Sequence, residues 1–457
     1  MRNLFTLTLL CSHLFLTAIE EADLIISSNK VILMTEKESA QPLSVAIKNK
    51  KIIWIGSHED AKNIQGEHVD FGNQAVLPGF IDAHGHASYL AFATQVANIA
   101  SPPVGKINNI QDLQTELKNF IQDSGLQPGE WLMGLGYDDS LLAEQRHPTK
   151  DDLDEVSTEH PIYLIHVSAH LGAANSLGLS LANINSKTQD PPGGKIRRYE
   201  NSLEPNGVFE ETAAYPLQQL AMSAYKDPIG SVKKAMEIYA RNGITTAQDG
   251  ASSLETIGLM QAADAQNMID IDVISYPIGQ NGLDENLNAL NFGSYTGRVK
   301  VGGIKLILDG SPQGKTAYLT EPYYKPPHNE SKSYKGYPLI PQTEVSEWVK
   351  KYADLNIPIM AHANGDAAAD MLIKAVKNAE IESDHRTIMI HAQTVREDQL
   401  DLMKELEIIP SYFSTHTFYW GDWHRDSVFG VDRAMRISPT KSTLNRDMPF
   451  TVHNDAP

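Results

Sequence analysis

Histidine and aspartate side chains that could bind a metal ion stand at the ends of four apolar segments that lie far apart in the sequence. The segments are residues 76–86 (VLPGFIDAHGH), 357–362 (IPIMAH), 387–391 (TIMIH) and 450–455 (FTVHND). Short apolar runs of this kind are typical of buried strands, and the parallel strands of a barrel deliver their last side chains to one rim. The pattern therefore predicts a metal-dependent hydrolase.

The histidines differ in how much each contributes to this prediction. His84 and His86 stand two residues apart in an extended segment, so their side chains point to the same side, and Gly85 lets the backbone approach an ion closely. His362 and His391 each end an apolar segment, where a single histidine is more often a hydrogen-bonded core residue. Because neutral imidazole is a favoured zinc ligand, the four histidines together indicate a metal site.

Two other polar residues fit the same chemistry. Asp455 follows the last apolar segment, where a carboxylate can bind a metal ion and take the proton from a metal-bound water; the alternative is a helix N-cap. Lys305 lies inside an apolar segment, where an unpaired charge is costly. Either Lys305 pairs with a carboxylate such as Asp309 or Asp249, or CO2 converts it into a carboxylate that bridges two metal ions.

From residue 74 onward, apolar segments alternate with helical patterns. Hydrophobic residues recur at helical spacing between the segments, for example at Val345, Trp348, Val349 and Tyr352. This alternation predicts an α/β fold of the (β/α)8 TIM-like barrel type, which needs about 250 residues. The predicted barrel strands are residues 75–82, 244–248, 269–277, 303–308, 357–361, 387–390, 408–413 and 450–452.

The rest of the 457-residue chain predicts additional segments around this barrel. Residues 19–73 carry two alternating apolar segments with a turn near Asn49 and Lys50, which predict a small N-terminal β-sandwich portion. Residues 74–457 form the predicted barrel, and residues 88–226 are too long for one loop, so we expect an inserted module there. The chain stops two residues after Asp455, and we expect C-terminal strands and the last barrel helix to be missing.

Residues 1–18 have the pattern of a cleaved secretory signal, with one early arginine, an apolar run and a small residue before an acidic stretch. Ser12 and His13 interrupt the run, which is too short for a membrane span. The single cysteine, Cys11, lies in this segment, so the mature chain has no disulfide and no thiolate ligand. We expect a periplasmic or secreted protein without membrane attachment after cleavage, or a cytoplasmic one if the leader is not cleaved.

The charge balance limits the class of partner. The chain has 38 basic and 57 acidic residues and a net charge of -19, which opposes binding to nucleic acid through a general electrostatic field. We expect a small-molecule substrate. The sequence leaves the oligomeric state open, and a homo-oligomer is compatible with it.

Several longer motifs link the candidate ligands to a known family. They are residues 77–86 (LPGFIDAHGH), 303–317 (GIKLILDGSPQGKTA), 361–366 (AHANGD), 390–393 (IHAQ), 416–424 (HTFYWGDWH) and 453–457 (HNDAP). Together they resemble the amidohydrolase superfamily and, within it, amidohydrolase family 3, which includes YtcJ-like proteins and N-substituted formamide deformylases. The resemblance runs from residue 22 to residue 457. It also implies a composite β-sandwich finished by strands after the barrel, which we expect to be missing here.

The resemblance implies a ligand set and a cofactor. Carried over by motif, the metal ligands are His84, His86, Lys305, His362, His391 and Asp455. Lys305 is then carboxylated and bridges two ions, usually zinc. The site would hydrolyse a C–N bond other than a peptide bond in a small N-substituted amide or formamide through a metal-activated hydroxide, with Asp455 as the catalytic proton shuttle.

Residues that contact the substrate are expected in the insertion and after the fourth and seventh barrel strands. The substrate-binding candidates are His170, Asp309, His416 and Trp420, with Asn175, Gln313, Lys315, Tyr419 and Trp423 close to them in the sequence. Aromatic residues at such spacing are as often plain packing. Two alternatives to the hydrolase also stay open: a barrel scaffold without turnover, and an amidohydrolase that truncation has made inactive.

Overall fold

The protein is described by a computed structural model that covers residues 21–456 apart from residues 36–39, 223–225, 281–282, 284–286, 288–289, 328–329 and 382–383. The chain divides into two compact units, Met1–Phe80 and Ile81–Pro457. The predicted secretory signal, with Cys11, lies outside the described residues. In the part of the chain that is described, no helix has the length and apolar character needed to cross a membrane.

The first unit is a five-stranded sheet with one short helix. Its elements are β1 (Glu21–Val31), β2 (Gln41–Lys48), β3 (Lys51–Gly56), α1 (His58–Ala61), β4 (Gln65–Asp70) and β5 (Ala75–Val76). The strand order is β3-β2-β1-β4, and β5 also pairs with β1. Asn49 and Lys50 connect β2 to β3 with positive φ angles of 51° and 62°, as a two-residue hairpin turn requires.

The predicted first barrel strand, residues 75–82, is interrupted. Ala75 and Val76 pair with β1, and a separate short strand, β6 (Phe80–Ile81), contains the boundary between the two units. Pro78 and Gly79 lie between the two strands, and proline has no backbone N–H to donate to a ladder. The prediction of one continuous strand was wrong here for that reason.

The segment after β6 forms a second sheet with its own helices. Its elements are α2 (Ala87–Ala93), β7 (Ala97–Asn98), α3 (Ile110–Ser124), β8 (Leu132–Tyr137), α4 (Lys150–Asp154), β9 (Ile162–His166), β10 (Leu171–Ala174), α5 (Ser176–Leu181), β11 (Gly194–Arg198), β12 (Pro205–Glu211) and α6 (Tyr215–Met222). The six strands have the order β11-β12-β10-β9-β8-β7. Asn109 caps α3 by accepting the Asp112 N–H (2.8 Å), and Gly125 ends this helix with φ 66°.

The remaining elements alternate between strands and helices, as the sequence pattern predicts. They are α7 (Pro228–Arg241), β13 (Ile244–Ser252), α8 (Leu254–Ala265), β14 (Asp272–Pro277), β15 (Tyr295–Thr296), β16 (Val299–Val301), β17 (Ile304–Ile307), α9 (Gln342–Asp354), β18 (Ile359–Ala363), α10 (Asp366–Ala379), β19 (Ile388–His391), α11 (Glu397–Glu405), β20 (Ile409–Phe413), α12 (His416–Trp423), α13 (Val431–Ala434), α14 (Thr440–Leu444) and β21 (Thr451–His453). Strands β17 to β21 form a parallel sheet in sequence order. The α/β class predicted from the sequence is confirmed, and the strand order is consistent with the predicted barrel.

Backbone contacts at two seams join this parallel sheet to the sheet of β13, β14 and β16. At one seam, Ile278 pairs with Lys305, and the N–H of Gly279 donates to the Lys305 carbonyl (2.8 Å). At the other seam, the N–H of Asp455 donates to the His84 carbonyl (3.2 Å), and the N–H of His86 donates to Ala456 (2.7 Å). Lys305, His84, His86 and Asp455 therefore lie where the two sheets meet.

The largest hydrophobic core packs α9 and α10 against β17, β18 and β19. In the predicted stripe on α9, Val345, Val349 and Tyr352 are fully buried in this core, and Trp348 is partly buried against it. Leu372 of α10 lies in the same core with no exposed surface. This packing holds the strands that carry Lys305, His362 and His391 at fixed positions.

Replacing Leu372 with alanine should lower the free energy of unfolding by about 2–5 kcal/mol, because it removes buried methyl groups and leaves a cavity. Urea unfolding followed by circular dichroism measures the change. The matched control is Leu355→Ala, since Leu355 at the end of α9 is 52% exposed. Equal midpoints for the two variants would contradict the position of Leu372 in the core.

Candidate metal centre

Three ligand-type side chains from distant parts of the sequence meet at the second seam. Asp455 Oδ1 lies 3.4 Å from His84 Nε2 and 3.2 Å from His86 Nε2. The possible ligand atoms of these residues all lie within 4.8 Å of one another. His84 and His86 follow β6, and Asp455 follows β21, so this group depends on the contact between the two sheets.

A second group contains Asp455 together with His391 and His453. The possible ligand atoms of these three residues also lie within 4.8 Å of one another, and Asp455 Oδ2 is 3.7 Å from His391 Nε2. One oxygen of Asp455 thus faces His84 and His86, and the other faces His391. The two groups share this carboxylate, an arrangement that suits a pair of neighbouring cations.

Hydrogen bonds from the second ring nitrogen to neighbouring residues orient two of the imidazoles. His84 Nδ1–H donates to Gln248 Oε1 (2.7 Å), so the unprotonated Nε2 faces Asp455, and Gln248 donates in turn to the Ala83 carbonyl (3.0 Å). His453 Nδ1 is hydrogen-bonded to Ser411 Oγ (2.8 Å). Histidine ligands of metals usually have the second ring nitrogen held in this way.

Three polar atoms of the candidate ligands have no hydrogen-bond partner in the described part of the chain. Among the described residues, buried His391 Nδ1, His453 Nε2 and Asp455 Oδ1 have none. Buried polar atoms are nearly always hydrogen-bonded, so a cluster of exceptions needs an explanation. Imidazole nitrogen and carboxylate oxygen are ligands that zinc and similar ions accept, and the donor set fits a divalent cation.

The electrostatics favour a cation as well. Burial lowers the pKa of His84 and His391 well below the ordinary value and lowers the pKa of His453 to about 4, so these rings are neutral near pH 7. Burial alone would raise the pKa of Asp455, but His84, His86 and His391 hold it well below its usual range. The centre therefore combines an ionised carboxylate with the neutral imidazoles of His84, His391 and His453.

Lys305 is buried beside this centre. Its Nζ lies 3.0 Å from His84 Nε2, and burial lowers the pKa of the ammonium group to about 7. The carboxylates that the sequence offers as ion-pair partners are engaged elsewhere. Asp309 accepts the backbone N–H groups of Tyr318, Asn364 and Gly365, and Asp249 accepts hydrogen bonds from Ser88.

His362 lies next to these groups but is not part of either. Its ring centroid is 4.6 Å from that of His391. Its Nε2 lies 3.2 Å from the Gly310 carbonyl and 3.1 Å from Asn364 Nδ2. The His362 ring is thus held by Gly310 after β17 and by Asn364 after β18, and it is adjacent to the two ligand groups.

The backbone is strained at two candidate ligands. His391 and Asp455 have φ angles of 70° and 55°, and Ala392 follows with 47°. Residues other than glycine rarely adopt this left-handed region, and such conformations concentrate at functional sites. Packing of the strand ends therefore holds both side chains in directions that an unstrained strand end would not give.

The residues predicted to bind substrate are placed in different ways. His416 is buried with its ring centroid 5.9 Å from that of His391, and its Nδ1 has no partner among the described residues. The Trp420 indole donates to Asp138 Oδ2 (2.6 Å), so its polar atom is occupied by the protein. Both oxygens of Asp309 accept backbone N–H groups and fix the loop after β17. Asn175 caps α5 and lies outside the centre.

His170 approaches the centre from the sheet that strands β7 to β12 form, here named the inserted sheet. Its ring centroid is 4.9 Å from that of His362, and its Nδ1–H donates to Glu211 Oε2 (2.8 Å). Burial alone would lower the pKa of His170, but the Glu211 carboxylate raises it above the ordinary value. Direct contact between His170 and a substrate stays a prediction.

Sequence reasoning missed His453 as a ligand candidate, and it missed Gln248 and Glu211. His453 had a signal, because it precedes Asp455 by two residues, the same spacing as in His84 and His86. Gln248 and Glu211 had no local signal, since each acts on a histidine far away in the sequence.

The chain is similar in sequence to known proteins. The amidohydrolase family profile matches residues 67–457. The N-substituted formamide deformylase of Arthrobacter pascens is 25% identical over 454 residues, which cover 95% of this chain and 80% of that protein. The putative amidohydrolase YtcJ of Bacillus subtilis is 23% identical over 446 residues, which cover 92% of this chain and 78% of that protein.

Solved structures resemble the fold. A metal-dependent hydrolase of uncharacterised function from Pyrococcus horikoshii has a TM-score of 0.69 at 21% identity, with 94% of this chain and 82% of that chain covered. Another from Pyrococcus furiosus has a TM-score of 0.68 at 22% identity, with 95% and 86% covered.

Replacing Gly250 with alanine should lower the affinity for zinc by at least about tenfold, because second-layer changes at metal sites have effects of this size. A Cβ at position 250 would lie 2.3 Å from His84 Cε1 and would displace the ring. Competition with a chromogenic chelator measures the affinity. Gly258→Ala is the control, since nothing lies within 4 Å of a Cβ at that position. Wild-type affinity in the Gly250→Ala variant would contradict the assignment of His84 as a ligand.

Proposed function

Because the chain belongs to the amidohydrolase family and is a hydrolase that acts on carbon–nitrogen bonds, we propose that it cleaves a small N-substituted amide or formamide with divalent metal ions, zinc being the first candidate. One observation carries the proposal: the Asp455 carboxylate is shared by two groups of imidazoles. The similarity to an N-substituted formamide deformylase supports the choice of substrate class.

The chain offers ligands for two ions. His84, His86 and Asp455 would hold one ion, and His391, His453 and Asp455 would hold the other. Lys305, carboxylated on Nζ, would supply a further bridging oxygen ligand from the opposite seam, and His362 stands next to His391. When bound, divalent ions lower the pKa of water and polarise a carbonyl group.

Residues of the chain would carry out the proton transfer and would orient the ligands. Asp455 Oδ1 has no hydrogen-bond partner among the described residues, and we propose that it accepts the proton from the attacking water and passes it to the departing nitrogen. The water oxygen bonds to the carbonyl carbon, the C–N bond breaks, and the products are a carboxylic acid and an amine. Gln248 keeps His84 in one tautomer throughout.

The direct test is a screen of N-formyl and N-acyl amines against the zinc-loaded protein, with release of the amine as the readout. We expect turnover of at least one N-substituted formamide or amide and loss of turnover after metal removal by a chelator. Two ions per chain without turnover of any C–N substrate would contradict the proposal. A folded protein that binds no metal would instead favour the barrel scaffold without turnover.

Asp455→Asn should lower kcat by at least about a hundredfold while much of the metal stays bound, because an amide cannot shuttle the proton but keeps an oxygen ligand. Steady-state kinetics and metal analysis on the same sample measure both quantities. Asp354→Asn is the control, since Asp354 is an exposed residue of α9 that pairs with Lys350. Normal hydrolysis by Asp455→Asn would show that the proton moves through another group.

Lys305→Ala should remove activity, and a short carboxylate such as propionate should restore part of it, because it can enter the space of the side chain and replace the bridging oxygens. Lys300→Ala is the control, since Lys300 lies over the ring of Tyr295 and away from the centre. Electron density for the zinc-loaded crystal should extend beyond Lys305 Nζ. Density that ends at Nζ in an active protein would contradict carboxylation.

A further inference from the structure

Two neighbouring strands of the inserted sheet hold a histidine and a glutamate together next to the metal centre. Nδ1–H of His170 donates to Glu211 Oε2 (2.8 Å), and the backbone N–H of Glu211 donates to the His170 carbonyl (2.8 Å). The two residues are therefore joined through both side chain and backbone. His170 lies just before β10, and Glu211 is the last residue of β12.

The two side chains differ in their access to solvent and to the centre. The His170 side chain is 15% accessible, whereas that of Glu211 is 2% accessible. The His170 ring centroid lies 4.9 Å from that of His362, which in turn lies 4.6 Å from that of His391. The carboxylate is thus behind the ring, and the ring faces the centre.

The placement of Glu211 is energetically unfavourable in two respects, and it also depends on a glycine at position 310. Its backbone has φ 51° and ψ -127°, a region that residues other than glycine rarely adopt. Its Oε1 is buried and has no hydrogen-bond partner among the described residues. A Cβ on Gly310 would lie 2.1 Å from this oxygen, so the carboxylate fits only because position 310 is glycine. Strain and unsatisfied polar atoms of this kind concentrate at functional sites.

The preceding residue shows what a structural carboxylate looks like in the same strand. Glu210 is also buried, but its Oε1 accepts from Arg197 Nε (2.6 Å) and its Oε2 accepts from the Tyr337 hydroxyl (3.1 Å). Both oxygens of Glu210 are satisfied, and its contacts are with residues other than the candidate ligands. Only Glu211 of this pair acts on a side chain that adjoins the metal centre.

We propose that Glu211 is a positioning residue, whose carboxylate fixes the ring of His170 so that Nε2 is presented to the substrate beside His362. The proposal rests on the hydrolase function proposed above. It assigns a role to the inserted sheet, which completes the site by supplying a hydrogen-bonding group that the barrel strands do not provide.

A double-mutant cycle tests whether Glu211 acts through His170. Glu211→Gln and His170→Ala should each lower kcat/KM by at least about tenfold, and the double variant should be no slower than the slower single variant. Metal content should stay at the wild-type level in all three. Glu210→Gln is the matched control and should keep wild-type kinetics. Independent effects that multiply in the double variant, or wild-type kinetics in Glu211→Gln, would overturn the proposal.

A spectroscopic readout separates this proposal from the hydrolase function. In zinc-loaded protein labelled with 15N-histidine, an Nδ1–H donated to a carboxylate gives a far-downfield proton resonance. That resonance should be present in the wild type and in Glu210→Gln, absent in His170→Ala, and shifted or absent in Glu211→Gln. If no amide is hydrolysed but the resonance behaves in this way, the hydrolase proposal fails and the positioning contact stands. A resonance that is insensitive to Glu211→Gln overturns the positioning role even in an active enzyme.

Discussion

The candidate metal centre depends on one carboxylate and its negative charge. Asp455 lies beside His84 and His391, whose rings burial keeps neutral, so these two imidazoles provide no cationic partner for that charge. A buried charge is tolerated when it is paired or binds a metal. The shared position of Asp455 between two imidazole groups turns this requirement into a site for divalent cations.

The way in which the sheets are joined brings the candidate metal ligands together around Asp455. The seam that carries His84, His86 and Asp455 and the seam that carries Lys305 are held by backbone hydrogen bonds, and the core around α9 and α10 fixes the strands between them. A sheet that did not return on itself would leave these residues at opposite edges. The inserted sheet then adds His170 and Glu211 from outside the ring of strands.

Much of the barrel and part of the centre could be predicted because short stretches of the sequence indicate them. Seven of the eight predicted strand positions contain one uninterrupted strand, since each is a short apolar run with a polar end. The first was split because Pro78 cannot donate to a ladder, a local effect that the apolar pattern concealed. His84, His86, His391 and Asp455 were identifiable from their place at strand ends, and the structure brings them together.

The sequence by itself determined the fold class, the strand ends and the types of side chain available for metal chemistry, because periodicity and residue type act over a few positions. Only the tertiary structure decided that Asp455 is shared, that Gln248 orients His84, and that Glu211 holds His170 beside His362. Each of these contacts joins residues that are 41 or more positions apart or depends on several strands at once. Such contacts exist only after the chain has packed, so no local pattern encodes them.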